Sequence, residues 1–127
     1  MFVSDRSGER DVTSIEDLEE MLTRACNERL GNEFWMSHSR DQAPVLAILV
    51  KGRVASINYL PGSRNAGFLS QGNVRGLKEG GMTKFATRGE PIEVPNHAIV
   101  PFADALLAVK EFWYSKDLPQ SIEWLEL

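Results

Sequence analysis

The stretch Val45-Leu46-Ala47-Ile48-Leu49-Val50-Lys51-Gly52-Arg53-Val54-Ala55-Ser56-Ile57-Asn58-Tyr59-Leu60 decides the fold. Val45 to Val50 is a continuous apolar run, the pattern of a central strand covered on both sides. Lys51-Gly52 is a tight-turn signal. From Val54 to Leu60 the chain alternates, with Ala55, Ile57 and Tyr59 on one face and Ser56 and Asn58 on the other, as a half-buried strand does. Pro61-Gly62 then ends the run. The whole reads as a β-hairpin, the seed of an antiparallel sheet.

Working outward, Phe34 to His38 is a short aromatic-rich strand before the hairpin, and Gly67 to Gln71 a short strand after it. Met82 to Thr87 and Ile92 to Val94 are further strands, the latter bounded by Pro91 and Pro95 and therefore at an edge or in a loop. Asn73 to Gly81 is a glycine-rich loop, and Ser121 to Leu125 a closing strand with Ile122 and Trp124 facing one way. Two helices flank these strands. Ile15, Leu18, Met21, Leu22, Ala25 and Cys26 fall on one face at helical spacing. Thr13 or Ser14 caps that helix in a capping box, and Gly31-Asn32 stops it near Leu30. Pro101 opens the second helix, whose stripe is Phe102, Leu106, Val109, Phe112 and Trp113, and Leu118-Pro119 breaks it. Two helices are too few for parallel crossovers. The expected fold is α+β, a mostly antiparallel sheet of about six to seven strands packed against two helices.

A chain of 127 residues supports one core, so residues 1–127 are expected to form a single domain. No apolar run is long enough to span a bilayer, and Met1 to Arg6 lacks the pattern of a secretory signal. One cysteine, Cys26, forms no internal disulfide. The expected location is the cytoplasm, without membrane association. The net charge of −4 argues against nucleic acid as a partner. From Pro61 to Gly89 the charges are mainly basic (Arg64, Arg75, Lys78, Lys84 and Arg88 against Glu79). From Glu90 to Leu127 they are mainly acidic (Glu90, Glu93, Asp104, Glu111, Asp117, Glu123 and Glu126 against Lys110 and Lys116). An acidic region of this kind keeps a surface solvated and also steers a basic protein partner.

Little points to catalysis. His38 and His97 are the only histidines and, with a single cysteine, give no zinc-ligand spacing. His38 shares a strand face with Phe34 and Met36, the place of a satisfied or edge histidine. Cys26 sits on the apolar side of its helix, as a small hydrophobe does. Gly72, Gly76 and Gly80 lack the Gly-Lys-Ser/Thr ending of a phosphate loop. No catalytic residue, metal or cofactor is expected. Trp35 is different: with Phe34 and Met36 inward it points to the opposite face with Ser37, as an exposed anchor for a partner.

The run Ile57-Asn58-Tyr59-Leu60-Pro61 with Gly67-Phe68 resembles a hallmark of one bacterial family. So do Glu93-Val94-Pro95 followed by Ile99-Val100-Pro101, Ala105-Leu106 and Phe112, and the ending Ile122-Glu123-Trp124 with Glu126-Leu127. Over roughly Val45 to Leu127 the chain looks like an immunity protein of bacterial polymorphic toxin systems, of the type encoded beside deaminase toxins. Leu60 stands where an aromatic residue is commoner, and Arg75 to Gly81 matches no family pattern. The resemblance implies a non-enzymatic inhibitor that binds a cognate toxin domain, a nucleobase deaminase with a basic surface, and blocks its active site or substrate access. Such an inhibitor works as a monomer or weak homodimer. The contact residues expected are Trp35, Arg64, Asn65, Glu90 and Glu123. The alternatives are a small enzyme with a carboxylate acid/base site, with Glu123 as its first candidate, and a structural module that self-associates through a strand edge.

Overall fold

In the computed structural model, which describes residues 1–63 and 65–127, the central hairpin forms where the alternation places it. In chain order the described elements are β1 (Phe2–Asp5), β2 (Gly8–Asp11), α1 (Ile15–Cys26), β3 (Asn32–Ser37), β4 (Val45–Lys51), β5 (Val54–Leu60), β6 (Phe68–Gln71), β7 (Met82–Phe85), β8 (Ile92–Pro95), a 3₁₀ turn (Asn96–Ala98), β9 (Val100–Pro101), α2 (Phe102–Ser115) and β10 (Glu123–Glu126). The main sheet runs β10-β6-β5-β4-β3-β1-β2, with β9 also paired to β5; β7 and β8 form a separate two-stranded sheet. Every described pairing is antiparallel. The α+β architecture is as expected, but the strands are more numerous. The N-terminal hairpin β1–β2 is an addition, and β7–β8 stand apart from the main sheet.

The loop of the central hairpin is Gly52-Arg53, one residue later than the Lys51-Gly52 signal, and Lys51 lies opposite Val54. Gly52 has φ of 57°, the positive angle a two-residue hairpin loop demands at its first position. With this turn set, Ile48 faces Ile57 and Leu46 faces Tyr59. One side of the sheet then carries Phe34, Met36, Leu46, Ile48, Val50, Ala55, Ile57 and Tyr59. It meets Leu18, Leu22 and Ala25 of α1 and Ala105, Ala108, Val109 and Phe112 of α2, all buried. Burying each of the large side chains contributes about 1.5–3 kcal/mol.

The capping choice falls on Ser14, whose Oγ accepts the Asp17 amide hydrogen at 3.1 Å. Glu16 and Asp17 sit in the first turn, where carboxylates complement the helix dipole. The helix ends at Cys26 rather than near Leu30. From there the amides of Asn27, Glu28 and Gly31 each bond the carbonyl three residues back. Leu30 points to solvent and adds nothing to the apolar stripe, so no packing energy extends the helix. The second helix follows Pro101 as expected. It stops at Ser115, ahead of Leu118-Pro119, because Lys116 takes a left-handed conformation with φ of 65°.

Tyr59 ties sheet to helix end. Its hydroxyl donates to the Lys116 carbonyl at 3.3 Å. Burial first, and then the negative charge of Asp117, push its pKa above the ordinary 10.0. The folded chain therefore keeps a proton that the unfolded chain loses above pH ~10. This contribution to stability is complete below that pH and declines as pH rises through it. In urea titrations at pH 8 and pH 11, Tyr59→Phe is expected to lose less stability than the parent between the two.

On the other side of the sheet a smaller core forms. Phe85, Val94, Ala98 and Ile99 pack with Leu49, Val54, Leu69, Val74 and Leu77, so β7–β8 and the 3₁₀ turn roof one part of that face. Ser70, fully buried on β6, bridges the layers: its Oγ accepts the Ile57 amide hydrogen at 2.9 Å and donates to the Ala98 carbonyl at 2.8 Å. Ser70→Ala strands a buried amide and a buried carbonyl. It is expected to cost about 2 kcal/mol, read as a lower urea midpoint at unchanged slope.

Candidate functional site

The part of the outer face that β7–β8 leave open carries the most distinctive surface. Directly opposed residues share a face, and the register lines up Glu33 with Leu49 and Ser56, Trp35 with Ala47, Asn58 and Leu69, and Ser37 with Val45 and Leu60. Trp35 is 46% exposed. Its neighbour Ala47 is small, so the indole stands above the sheet instead of packing into it. Between Trp35 and Ile92 of β8 runs a groove of about 230 Å³ over Ala47, Leu49, Asn58 and Leu60, with Glu33 at one end. On the opposite side of the indole lies a second cleft of about 380 Å³, bounded by Phe2, Ser4, Glu9, Asp41 and Arg88. There Arg40 lies 5.0 Å over the Phe2 ring and pairs with Glu9 at 3.0 Å.

Glu33 holds this surface together. It is only 8% exposed. Its Oε1 accepts the Arg88 amide hydrogen at 2.8 Å, and its Oε2 receives the Trp35 indole N–H at 3.5 Å. The Arg88 guanidinium turns away, donating from Nε to the Asp5 carbonyl at 2.7 Å and from its terminal nitrogen to Ser4 Oγ. The segment entering β8 is thereby clamped to β1 and β3.

The residues expected from sequence are not gathered in one place. Trp35 faces outward with Ser37, as the alternation required. Glu90 is exposed in the turn between β7 and β8, where its carbonyl accepts from Thr87 Oγ1 at 2.8 Å. Asn65 is exposed in the segment joining β5 to β6, and Arg64 lies outside the described residues. Glu123 is exposed on β10, separated from β3 by β6, β5 and β4, beside a cleft of about 370 Å³ that also includes Gln71 and Asp104. The sequence reading did not single out Glu33, Ala47 or Ile92. Glu33 was legible in principle, since it alternates with Trp35; Ile92 was not, because β8 reaches the groove only through the tertiary fold.

Little here resembles a reactive centre. Among the described residues Glu33 is the sole carboxylate lining its groove, and a paired acid and base of the kind a small hydrolase uses are not assembled from them there. His38 lies on the helix side, with Nε2 2.9 Å from the Trp113 carbonyl and its ring 4.9 Å from that of Phe112. Burial, partly offset by Arg53, pushes the Cys26 thiol above its ordinary range, which makes it a poor nucleophile. Among the described residues no cluster of three or more His, Cys, Asp or Glu is arranged to hold a metal, and no helix is long and apolar enough to cross a membrane.

Comparison with known proteins places the chain in a family. Over its full length the chain is 27% identical to a protein of Burkholderia cenocepacia (strain H111) named double-stranded DNA deaminase immunity protein, the alignment covering 129 residues and all of both chains. Residues 6–126 match the family described as immunity protein Imm1. A match over nearly the whole chain is not a shared local motif, and the protein belongs to the Imm1 family of immunity proteins.

Proposed function

We propose that this protein binds a cognate bacterial toxin domain through the outer sheet face around Trp35, and that the toxin is a nucleobase deaminase. Membership of the immunity family supports the inhibitory role. The full-length similarity to a protein named for a double-stranded DNA deaminase supports the toxin class. The observation that carries the surface is the half-exposed indole of Trp35 beside an apolar groove, on the face that the two helices leave free. A large aromatic side chain at the centre of a partly apolar patch is the commonest kind of energetic anchor in protein recognition.

A deaminase that acts on DNA must take its target base out of the stack and into a pocket. An inhibitor need only cover that route; it performs no chemistry. The acidic balance of the chain favours approach to a toxin surface that is basic because it engages nucleic acid. Residues 1–127 act as one domain in the cytoplasm of the producing cell, where one copy meets one toxin. Glu90 serves as rim to the Trp35 surface, and Asn65, Glu123 and Arg64 as peripheral contacts. Self-pairing through the β10 edge is disfavoured because antiparallel register would set Glu123 against Glu126.

The test is co-expression with the toxin domain encoded beside this protein, followed by pull-down, survival and an assay of deamination on double-stranded DNA. Protection with a stoichiometric complex and suppressed deamination is the expected result. A chain that neither binds nor protects would sink the reading. A chain that protects against a toxin lacking deaminase activity would leave immunity standing and remove the deaminase.

A further inference from the structure

We infer that the groove between Trp35 and Ile92 receives one basic side chain of the toxin, an arginine or lysine, whose cation meets Glu33; this rests on the toxin-binding role proposed above. The groove is apolar along Ala47, Leu49, Leu60 and Ile92, with Asn58 between them, and among the described residues Glu33 is the only charged one that lines it. Glu33 as a residue is more than nine-tenths buried. Its described partners are both neutral donors, the Arg88 amide and the Trp35 indole, and the indole bond at 3.5 Å is at the long limit of such contacts. Oε2 therefore retains capacity for a strong donor. The nearby guanidinium of Arg88 does not supply it, being spent on Asp5 and Ser4.

The alternative occupant is an apolar side chain, and the physics disfavours it. A leucine or methionine in the groove would strip the remaining water from Glu33 and offer nothing in return. An uncompensated buried carboxylate costs more than so small an apolar contact gains. An arginine or lysine satisfies every wall at once. Its aliphatic stem lies along the apolar floor, its cation forms a charge-assisted bond to Oε2, and the indole face beside it favours a positive charge. Glu33 thus selects for the partner's charge as well as bracing the surface.

Glu33→Gln keeps the stronger brace and removes the charge. The amide oxygen still accepts from the Arg88 amide, while an NH2 group replaces the oxygen that would meet the cation and gives up the long bond from the Trp35 indole, so the scan of basic positions below decides between lost charge and lost bracing. With the purified cognate toxin domain as probe, the dissociation constant is expected to rise by at least about thirtyfold, mostly through faster dissociation, with little change in melting temperature. Each arginine and lysine on the toxin surface is then changed to alanine and measured against both parent and Glu33→Gln. One position should weaken the parent complex strongly and the Glu33→Gln complex hardly at all. Unchanged affinity of Glu33→Gln, or strict additivity at every basic position, would overturn the inference while leaving toxin binding intact. Should Glu33→Gln not fold, the scan against the parent decides: if no single basic residue matters by tenfold, the groove holds no cation. Failure of the parent itself to bind the toxin would remove the proposed function, and this site with it.

Discussion

Replacing Trp35 by alanine is expected to weaken binding of the cognate toxin domain by about thirtyfold to a thousandfold, the range of an interface anchor, with little effect on folding. The indole projects from the sheet and is 46% exposed. It takes no part in either buried cluster. What the fold loses is its contact with small Ala47 and a long hydrogen bond to Glu33, a cross-strand contribution of about 0.2–1 kcal/mol. What the interface loses is the ridge dividing the apolar groove from the cleft of Glu9 and Asp41. Calorimetric titration of the toxin domain, with a thermal melt of the free variant, separates the two effects. Undiminished affinity would move the contact surface elsewhere, first to the cleft beside Glu123.

Phe112→Ala shows the reverse pattern. Phe112 is fully buried on α2, its ring 4.9 Å from that of His38 and 6.2 Å from that of Tyr59. Both neighbours also bond carbonyls near the end of the helix, at Trp113 and Lys116. Removing the ring opens a cavity and loosens the hold of two sheet residues on the helix terminus. The expected cost is about 3–5 kcal/mol, a large share of the roughly 5–15 kcal/mol that holds such a domain folded. Urea titration measures it. Because Phe112 lies across the sheet from Trp35, the fraction that remains folded should bind the toxin with nearly parental affinity. A loss below about 1 kcal/mol would mean that the helix is held chiefly elsewhere.

The contrast between these residues also marks what was legible in the sequence. Phe112, Val109 and Leu18 announce themselves by helical periodicity, and Ile57 and Tyr59 by alternation, because the core imposes those periods on the chain. The outward direction of Trp35 followed from the inward direction of Phe34 and Met36. The hairpin β1–β2 was not legible: Gly8-Glu9-Arg10-Asp11 has no apolar alternation, being an exposed edge strand held by its pairing to β1. The early end of α1 was hidden because Gly31 signals a stop without saying where the packing ceases. The groove was least legible of all, since it joins Glu33 to Ile92 across 59 residues of chain, and nothing local to either predicts their meeting. Glu123, which alternates with Ile122 and Trp124 on the closing strand, is exposed, but β6, β5 and β4 separate it from Trp35.

The Gly52-Arg53 turn has a consequence beyond its own hairpin. It fixes the parity of β5 against β4, and through β5 that of β6 and β10. Strand residues have only two directions, so an insertion of one residue in that loop would, if the pairing slid to absorb it, exchange odd and even positions. Leu60 and Asn58 would turn toward the helices, while Ile57 and Tyr59 would emerge on the face that now carries the groove. What the protein shows its partner is thus decided by counting, at a loop that need never touch that partner.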